Sequence, residues 1–333
     1  MHFLKKLLLS CIILVLLSGA SLYFWANQPI QSGAQNVPVP FSIAPGSHLR
    51  NAADQIVAAG IPLNVDLFTI LARITGQAEK IKAGSYELKH DATPNTLIRK
   101  MVIGDFALES LVIIEGWSFK QMRIAMAAHP GLKHDTVDLT DTQLLAKIPL
   151  DEKHPEGLFF PDTYLFARGS SDLLVYRQSN AALMTHLNDA WDKRDLSLPY
   201  KTPYEALIMA SIVEKETGKK ADRKTIASVF INRLKVGMML QTDPTVIYGM
   251  GERYDGNIRK RDLQTDTAYN TYTRSGLPPT PIALPGAESL RAALAPANTD
   301  SLYFVARGDG SSQFSSNLDD HNRAVNKYIH GVN

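Results

Sequence analysis

Ala206-Leu207-Ile208-Met209-Ala210-Ser211-Ile212-Val213-Glu214-Lys215-Glu216-Thr217-Gly218 is the stretch around which the rest of this 333-residue sequence organises itself. The uncharged run has helical length, and the pattern predicts a helix from Pro203 to Thr217 with Gly218 at its C-terminal cap. So apolar a helix belongs in the core of a domain, yet it ends in two glutamates. The last helical turn carries the negative end of the dipole and disfavours an ionised acid, as apolar burial also does. A glutamate kept protonated near neutral pH is what general acid catalysis requires. At helical spacing Glu216 follows Met209, Ile212 and Val213, whereas Glu214 follows Leu207, Ala210 and Ser211. The bulkier apolar track leads to Glu216. The plainer alternative is a solvated Glu-Lys-Glu helix end paired with Lys219 or Lys220.

Working outward, helices are predicted at Asp172 to Asp192 and at Asp222 to Val236, the latter capped by Gly237. Gln241 to Pro285 reads as loop-rich. A helix near Glu288 to Leu294 follows, then a hairpin of Leu302 to Ala306 and Gln313 to Ser316 around Gly308-Asp309-Gly310, and a closing helix from Asp319 to Ile329. The aromatic segment Glu156 to Tyr164 opens this larger domain, 156–333, and residues 116–155 connect it to an N-terminal unit at 41–115. That unit carries helical patterns at Leu49, Ala52, Ala53, Ile56 and Val57, at Leu67, Ile70, Leu71 and Ile74, and at Thr96 to Val102. Strands are expected at Gly84 to Leu88 and Leu108 to Ile114, so the fold class is α+β. Residues 27–40, rich in Pro, Gly, Ser, Asn and Gln, read as a linker, with folding expected to begin near Phe41.

Residues 1–26 form a short tip and a membrane anchor. Lys5 and Lys6 precede an uncharged run from Leu7 to Trp25 of about nineteen residues, enough to cross a bilayer. The lysines favour a cytoplasmic N-terminus, and Tyr23, Phe24 and Trp25 form an interfacial belt. A cleaved signal peptide is the rival, but bulky aromatics crowd its cleavage site. A lipoprotein site at Leu8-Leu9-Ser10-Cys11 has too little apolar sequence ahead of it.

Composition removes several function classes. Lys and Arg total 35 against 33 Asp and Glu, a net +2, which gives no electrostatic case for nucleic acid. Cys11, the only cysteine, allows no disulfide framework. His-Glu-x-x-His, Gly-x-Ser-x-Gly, a phosphate loop and Ser-x-x-Lys are all missing, and no histidine has a partner at metal-ligand spacing. No metal or cofactor is implied. Carboxylate chemistry remains. Downstream of the two glutamates, Leu240 to Gly249 and Tyr269 to Thr273 concentrate the mixture that grips sugars, aromatic faces with amides, hydroxyls and a carboxylate. Gln241, Thr242, Asp243, Tyr248, Tyr269, Asn270 and Tyr272 are the candidate substrate-binding residues, although the tyrosines could equally be ordinary packing.

Ala210 to Thr217, Ala227-Ser228-Val229-Phe230-Ile231-Asn232-Arg233-Leu234, Leu240 to Tyr248, Tyr269 to Thr273 with Gly276-Leu277-Pro278-Pro279, Phe160-Pro161-Asp162-Thr163-Tyr164 and Asp320-His321-Asn322 together resemble the YceG-like family of murein transglycosylases. The matches extend from about residue 41 to the C-terminus. The resemblance implies an inner-membrane protein with one span, a LysM-like subdomain carried by Ser42-Ile43-Ala44-Pro45-Gly46 and the following helix, and a catalytic domain in the periplasm. By motif the catalytic residue is the second acid of Glu-Lys-Glu-Thr, Glu216. The implied reaction cuts the MurNAc-GlcNAc β-1,4 bond inside nascent peptidoglycan strands without water, leaves 1,6-anhydroMurNAc ends and ends strand elongation. Implied partners are glycan strands, the inner membrane through residues 7–25, and peptidoglycan synthases. Two readings stand beside it: a muramidase using Asp243 or Glu252 as a second carboxylate, and a non-catalytic peptidoglycan-binding division scaffold.

Overall fold

A computed structural model describes residues 2–31 and 38–331, which form a mixed α+β protein with an apolar N-terminal helix. Two compact units are present, one of residues up to Glu109 together with Leu165–Ser170, the other of Ser110–Tyr164 and the chain from Ser171 onward.

The first unit begins with the helix His2–Ala26, whose segment Phe3–Ala26 is long and apolar enough to cross a membrane, as a signal sequence also is. At about 1.5 Å per residue it exceeds the roughly 30 Å of a bilayer core. Its last turn is already part of the folded unit. Ala26 and Ile30 are buried in the core with Phe41, Ile56 and Phe68, and Trp25 packs against it. The Ile30 N–H also donates to Ala92 O at 2.8 Å. Folding therefore starts well before Phe41, because an apolar side chain and a backbone donor at residue 30 both find partners. Of the expected linker, residues 32–37 lie outside the described residues.

Val39–Ile43 and Gly84–Leu88 pair antiparallel with Phe41 opposite Tyr86, and their rings stack at 5.3 Å. Between them run the helices Leu49–Ala58 and Val65–Ile74. The second presents Phe68, Thr69, Leu71 and Ala72 to the core, while Ile70 and Ile74 are exposed. The apolar stripe expected from Leu67, Ile70, Leu71 and Ile74 is thus rotated, since Phe68 supplies the largest buried area. Pro94–Ile103 completes the unit.

The second unit is built on Pro203–Glu216, which packs against Ala287–Leu294, Arg223–Lys235 and Asp172–Asp192. The region preceding Glu156 is more structured than a connector. Phe119–Ala128 is a helix with a Ser118/Gln121 capping box, and it buries Phe119, Met122 and Met126. Tyr303–Ala306 and Ser312–Ser315 form the expected hairpin, and Leu318–Tyr328 is the last helix.

Candidate active site

Thr202 caps the central helix by accepting from Glu205 N, with Pro203 in the first turn. Every side chain from Ala206 to Val213 is buried, so the helix is enclosed on all sides. The bulkier track behind Glu216 therefore does not separate it from Glu214. The helix stops because Thr217 is extended, φ −147°, and Gly218 adopts no left-handed conformation. Gly237, at φ 70°, does close Arg223–Lys235 as the pattern predicts.

The partners of the two glutamates tell them apart. Glu214 has a side chain 5% exposed and pairs with the equally buried Arg223 at 3.0 Å. Its other oxygen accepts from Gly286 N at 3.0 Å. With both oxygens taken, Glu214 ties the central helix to the start of Ala287–Leu294. Its cation is Arg223, where a solvated helix end would have used Lys219 or Lys220.

Glu216, half-buried, accepts a short hydrogen bond from the Thr242 hydroxyl. Burial pushes its carboxyl up to about 7 from an ordinary 4.5; the Thr242 hydroxyl and the Arg233 charge pull it down, and the Asp243 charge pushes it up. Burial, and not the helix end, is the main cause here. Arg233 is held by Leu302 O and Leu240 O, each at 2.7 Å, which also fixes the backbone just ahead of Gln241. Tyr303 lies beneath this guanidinium and stacks on His321 of the Asp320-His321-Asn322 segment at 5.1 Å.

Thr242 is positioned through its backbone. Its N–H donates to Thr271 Oγ1 at 3.0 Å, and its carbonyl accepts from Thr245 Oγ1 at 2.7 Å. Gln241 donates its N–H to Thr271 O and is the only non-glycine with positive φ, 49°, among the described residues. Such a backbone costs roughly 1 kcal/mol for a residue with a Cβ. The Gln241 and Asp243 side chains are exposed, and Tyr272 Oη donates to Asp243 Oδ1 at 2.6 Å. Thr242, Asp243 and Tyr272 therefore gather around Glu216, and Gln241 directly precedes Thr242 in the chain.

Asp243–Met250 is a helix, not loop. The signal was in the sequence, since Thr242-Asp243-Pro244 is a helix start with Pro in the first turn. This places Tyr248 about 9 Å along the axis from Thr242. Tyr248 meets Tyr269 edge-on at 4.8 Å, and Tyr269 Oη bonds Thr280 Oγ1 at 2.9 Å. Gly249 permits that approach, because a Cβ there would fall 2.8 Å from Thr267 Oγ1 and 3.1 Å from Tyr269 Cβ. Asn270 is fully buried, and it donates to Asp262 O, Leu263 O and Thr265 O while accepting from Tyr272 N. It shapes the loop and has no amide hydrogen left for a ligand. Glu252 is exposed and paired with Lys120 at 2.5 Å, apart from the residues around Glu216.

The sequence reading passed over Arg233, Thr271 and Glu156 as site residues. Glu156 is 4% exposed, accepts from Phe119 N at 2.9 Å and Tyr248 Oη at 3.1 Å, and is pushed by burial up to about 7. A lone acid heading Glu-Gly-Leu-Phe-Phe was the available clue. Among the described residues no group of three or more His, Cys, Asp or Glu is placed to hold a metal ion.

A half-buried acid with one hydroxyl partner, facing exposed polar and aromatic groups, is an arrangement suited to proton transfer onto a sugar polymer. The YceG-like family profile matches residues 41–327, and the chain belongs to that family. An endolytic murein transglycosylase of Bacillus subtilis is 32% identical over 96% of this chain and 92% of its own length. One from Streptococcus pneumoniae serotype 2 is 26% identical over 98% of this chain, which spans only 65% of that longer relative. The crystal structure of a yceG-like protein from Listeria monocytogenes shares 32% identity and superposes with a TM-score of 0.55, covering 87% of this chain and 99% of that one.

Proposed function

We propose that this chain is an endolytic murein transglycosylase that cleaves the MurNAc-GlcNAc β-1,4 bond of peptidoglycan strands, with Glu216 as its single acid and base. The observation that carries the reading is Glu216 itself, a carboxyl raised to about 7 by burial, bonded by Thr242 and lying beside Asp243 and Tyr272. Protonated Glu216 donates to the bridging oxygen as the C1–O4 bond breaks. The resulting carboxylate takes the proton of the muramic 6-hydroxyl as O6 bonds to C1. Glu216 ends protonated, no water is consumed, and a 1,6-anhydro end is left. Asp243, accepting from Tyr272, is the carboxylate we assign to stabilising the oxocarbenium-like charge.

The apolar helix Phe3–Ala26 supports anchoring in the inner membrane, with the rest of the first unit and the second unit in the periplasm. The strand-helix-helix-strand order of Val39 to Leu88 supports a LysM-like, glycan-gripping role for the first unit. Cutting a strand while it is being made would end its elongation and bring the enzyme close to the synthases. The exposed Asp243 beside Glu216 favours one second reading, a muramidase in which that carboxylate activates water.

Mass spectrometry of uncrosslinked glycan digested by the full chain in EDTA separates the readings. The expected products are internal fragments with 1,6-anhydroMurNAc ends, absent with Glu216→Gln. Reducing MurNAc ends would identify the muramidase, and intact strands a scaffold.

A further inference from the structure

Glu156 is a buried acid for which the reaction above has no use. Both of its oxygens are held by neutral donors, Oε1 by the Phe119 N–H at the start of Phe119–Ala128 and Oε2 by Tyr248 Oη. A buried carboxylate without a countercharge is costly, and its raised affinity for a proton reflects that burial. Its placement is tightly specified. Gly157 follows at φ 80°, and a Cβ at that glycine would sit 2.4 Å from Pro281 Cβ, so the turn carrying Glu156 is pressed against the Pro281 segment. A side chain fixed in this way, with both oxygens engaged and almost no exposure, does not reach substrate.

What it holds is Tyr248. That ring is clamped at its hydroxyl by Glu156 and at its edge by Tyr269, which is itself tied to Thr280. Tyr248 rides on the helix whose N-cap, Thr242, bonds Glu216. Both tyrosines keep part of their surface open. An aromatic face held rigid loses little conformational freedom when a sugar ring stacks on it, which is how preorganisation becomes affinity.

We propose that Glu156 is a positioning residue for substrate: it clamps Tyr248 so that Tyr248 and Tyr269 stand as a fixed aromatic wall for an amino-sugar ring of the glycan, about 9 Å along the helix axis from Thr242 and its bond to Glu216. This rests on the reading of Glu216 as the acid acting on glycan strands.

The test uses the full chain in detergent. Glu156→Gln keeps the side-chain shape and an acceptor for Phe119 N–H but offers Tyr248 an amide in place of a carboxylate; Tyr248→Phe removes the hydroxyl from the other side. Tyr248→Phe is expected to raise KM for glycan strands about tenfold with kcat lowered less than threefold; Glu156→Gln, whose amide N–H can still donate to the Tyr248 hydroxyl, is expected to raise KM by no more than that, and the double variant to be no worse than Tyr248→Phe, since all act on one contact. A hundredfold, multiplicative loss in the double variant overturns the proposal, as does a lowered Tm with unchanged KM in Tyr248→Phe, or a collapse of kcat to the level of Glu216→Gln. Should Glu156→Gln fail to fold, Tyr248→Phe alone decides, and an unchanged KM refutes. Equilibrium binding of glycan strands in the Glu216→Gln background is expected to show the same tenfold loss. If the wild-type chain binds but does not cut, the enzymatic reading fails while this binding loss still tests the clamp.

Discussion

Thr242→Val replaces the hydroxyl that bonds the Glu216 carboxylate by a methyl of similar volume at a buried position, while the Thr242 backbone bonds to Thr271 and Thr245 remain available. The hydroxyl donates to the carboxylate, so it favours the ionised form and draws the proton affinity of Glu216 down against burial. A hydrogen bond to a charged group contributes about 1.5–3 kcal/mol net. At 1.36 kcal/mol per unit, its loss raises the pKa by about one to two units. The alkaline limb of kcat/KM, near pH 7 in the wild-type chain if Glu216 must be protonated, is expected to move upward by that amount. The plateau should also fall, because a less stabilised anion makes a weaker acid. The assay is the pH-rate profile of anhydro-end formation from uncrosslinked strands, with circular dichroism as a fold check. An alkaline limb that stays in place, or moves to lower pH, would refute the assignment of the limb to Glu216.

Three further outcomes follow from the same contacts. Glu216→Gln should abolish cleavage yet stabilise the fold at pH 8: folding raises this acid from 4.5 to about 7, so its penalty is absent below pH 4.5, grows through that window and is complete above pH 7, at most about 3 kcal/mol. Thermal melts should show a gain in Tm at pH 8 that vanishes at pH 4; a variant less stable than wild type at pH 8 would contradict the burial argument. Glu214→Gln should cost stability by about 3 kcal/mol through the buried Arg223 pair, while the folded fraction retains substantial activity, so urea denaturation and turnover together separate it from Glu216. A chain starting at Phe41 should be less stable than one starting at Ser21 by roughly 2 kcal/mol, because it loses buried Ile30 and Ala26 and the Val39 and Pro40 end of a strand; equal denaturation midpoints would show that this burial contributes nothing.

The sequence alone determined whatever depends on local periodicity and punctuation. The apolar run before Trp25, the enclosed helix from Pro203 to Glu216, the Gly308-Asp309-Gly310 hairpin and the closing amphipathic helix are each written in consecutive residues, because backbone preference and side-chain spacing act over a few positions. It also brought the chemistry down to Glu214 and Glu216. Only tertiary structure decided what each acid touches, since that depends on partners far along the chain: Arg223 pairs with Glu214 while the Gly286 N–H bonds its other oxygen, and the Thr242 hydroxyl bonds Glu216. The same distance in sequence hid Asn270 as a filled scaffold residue, drew Ile30 into the first unit, and joined Glu156 to Tyr248 across ninety-two positions. Burial and hydrogen-bond satisfaction are properties of the packed chain, and no window of residues contains them.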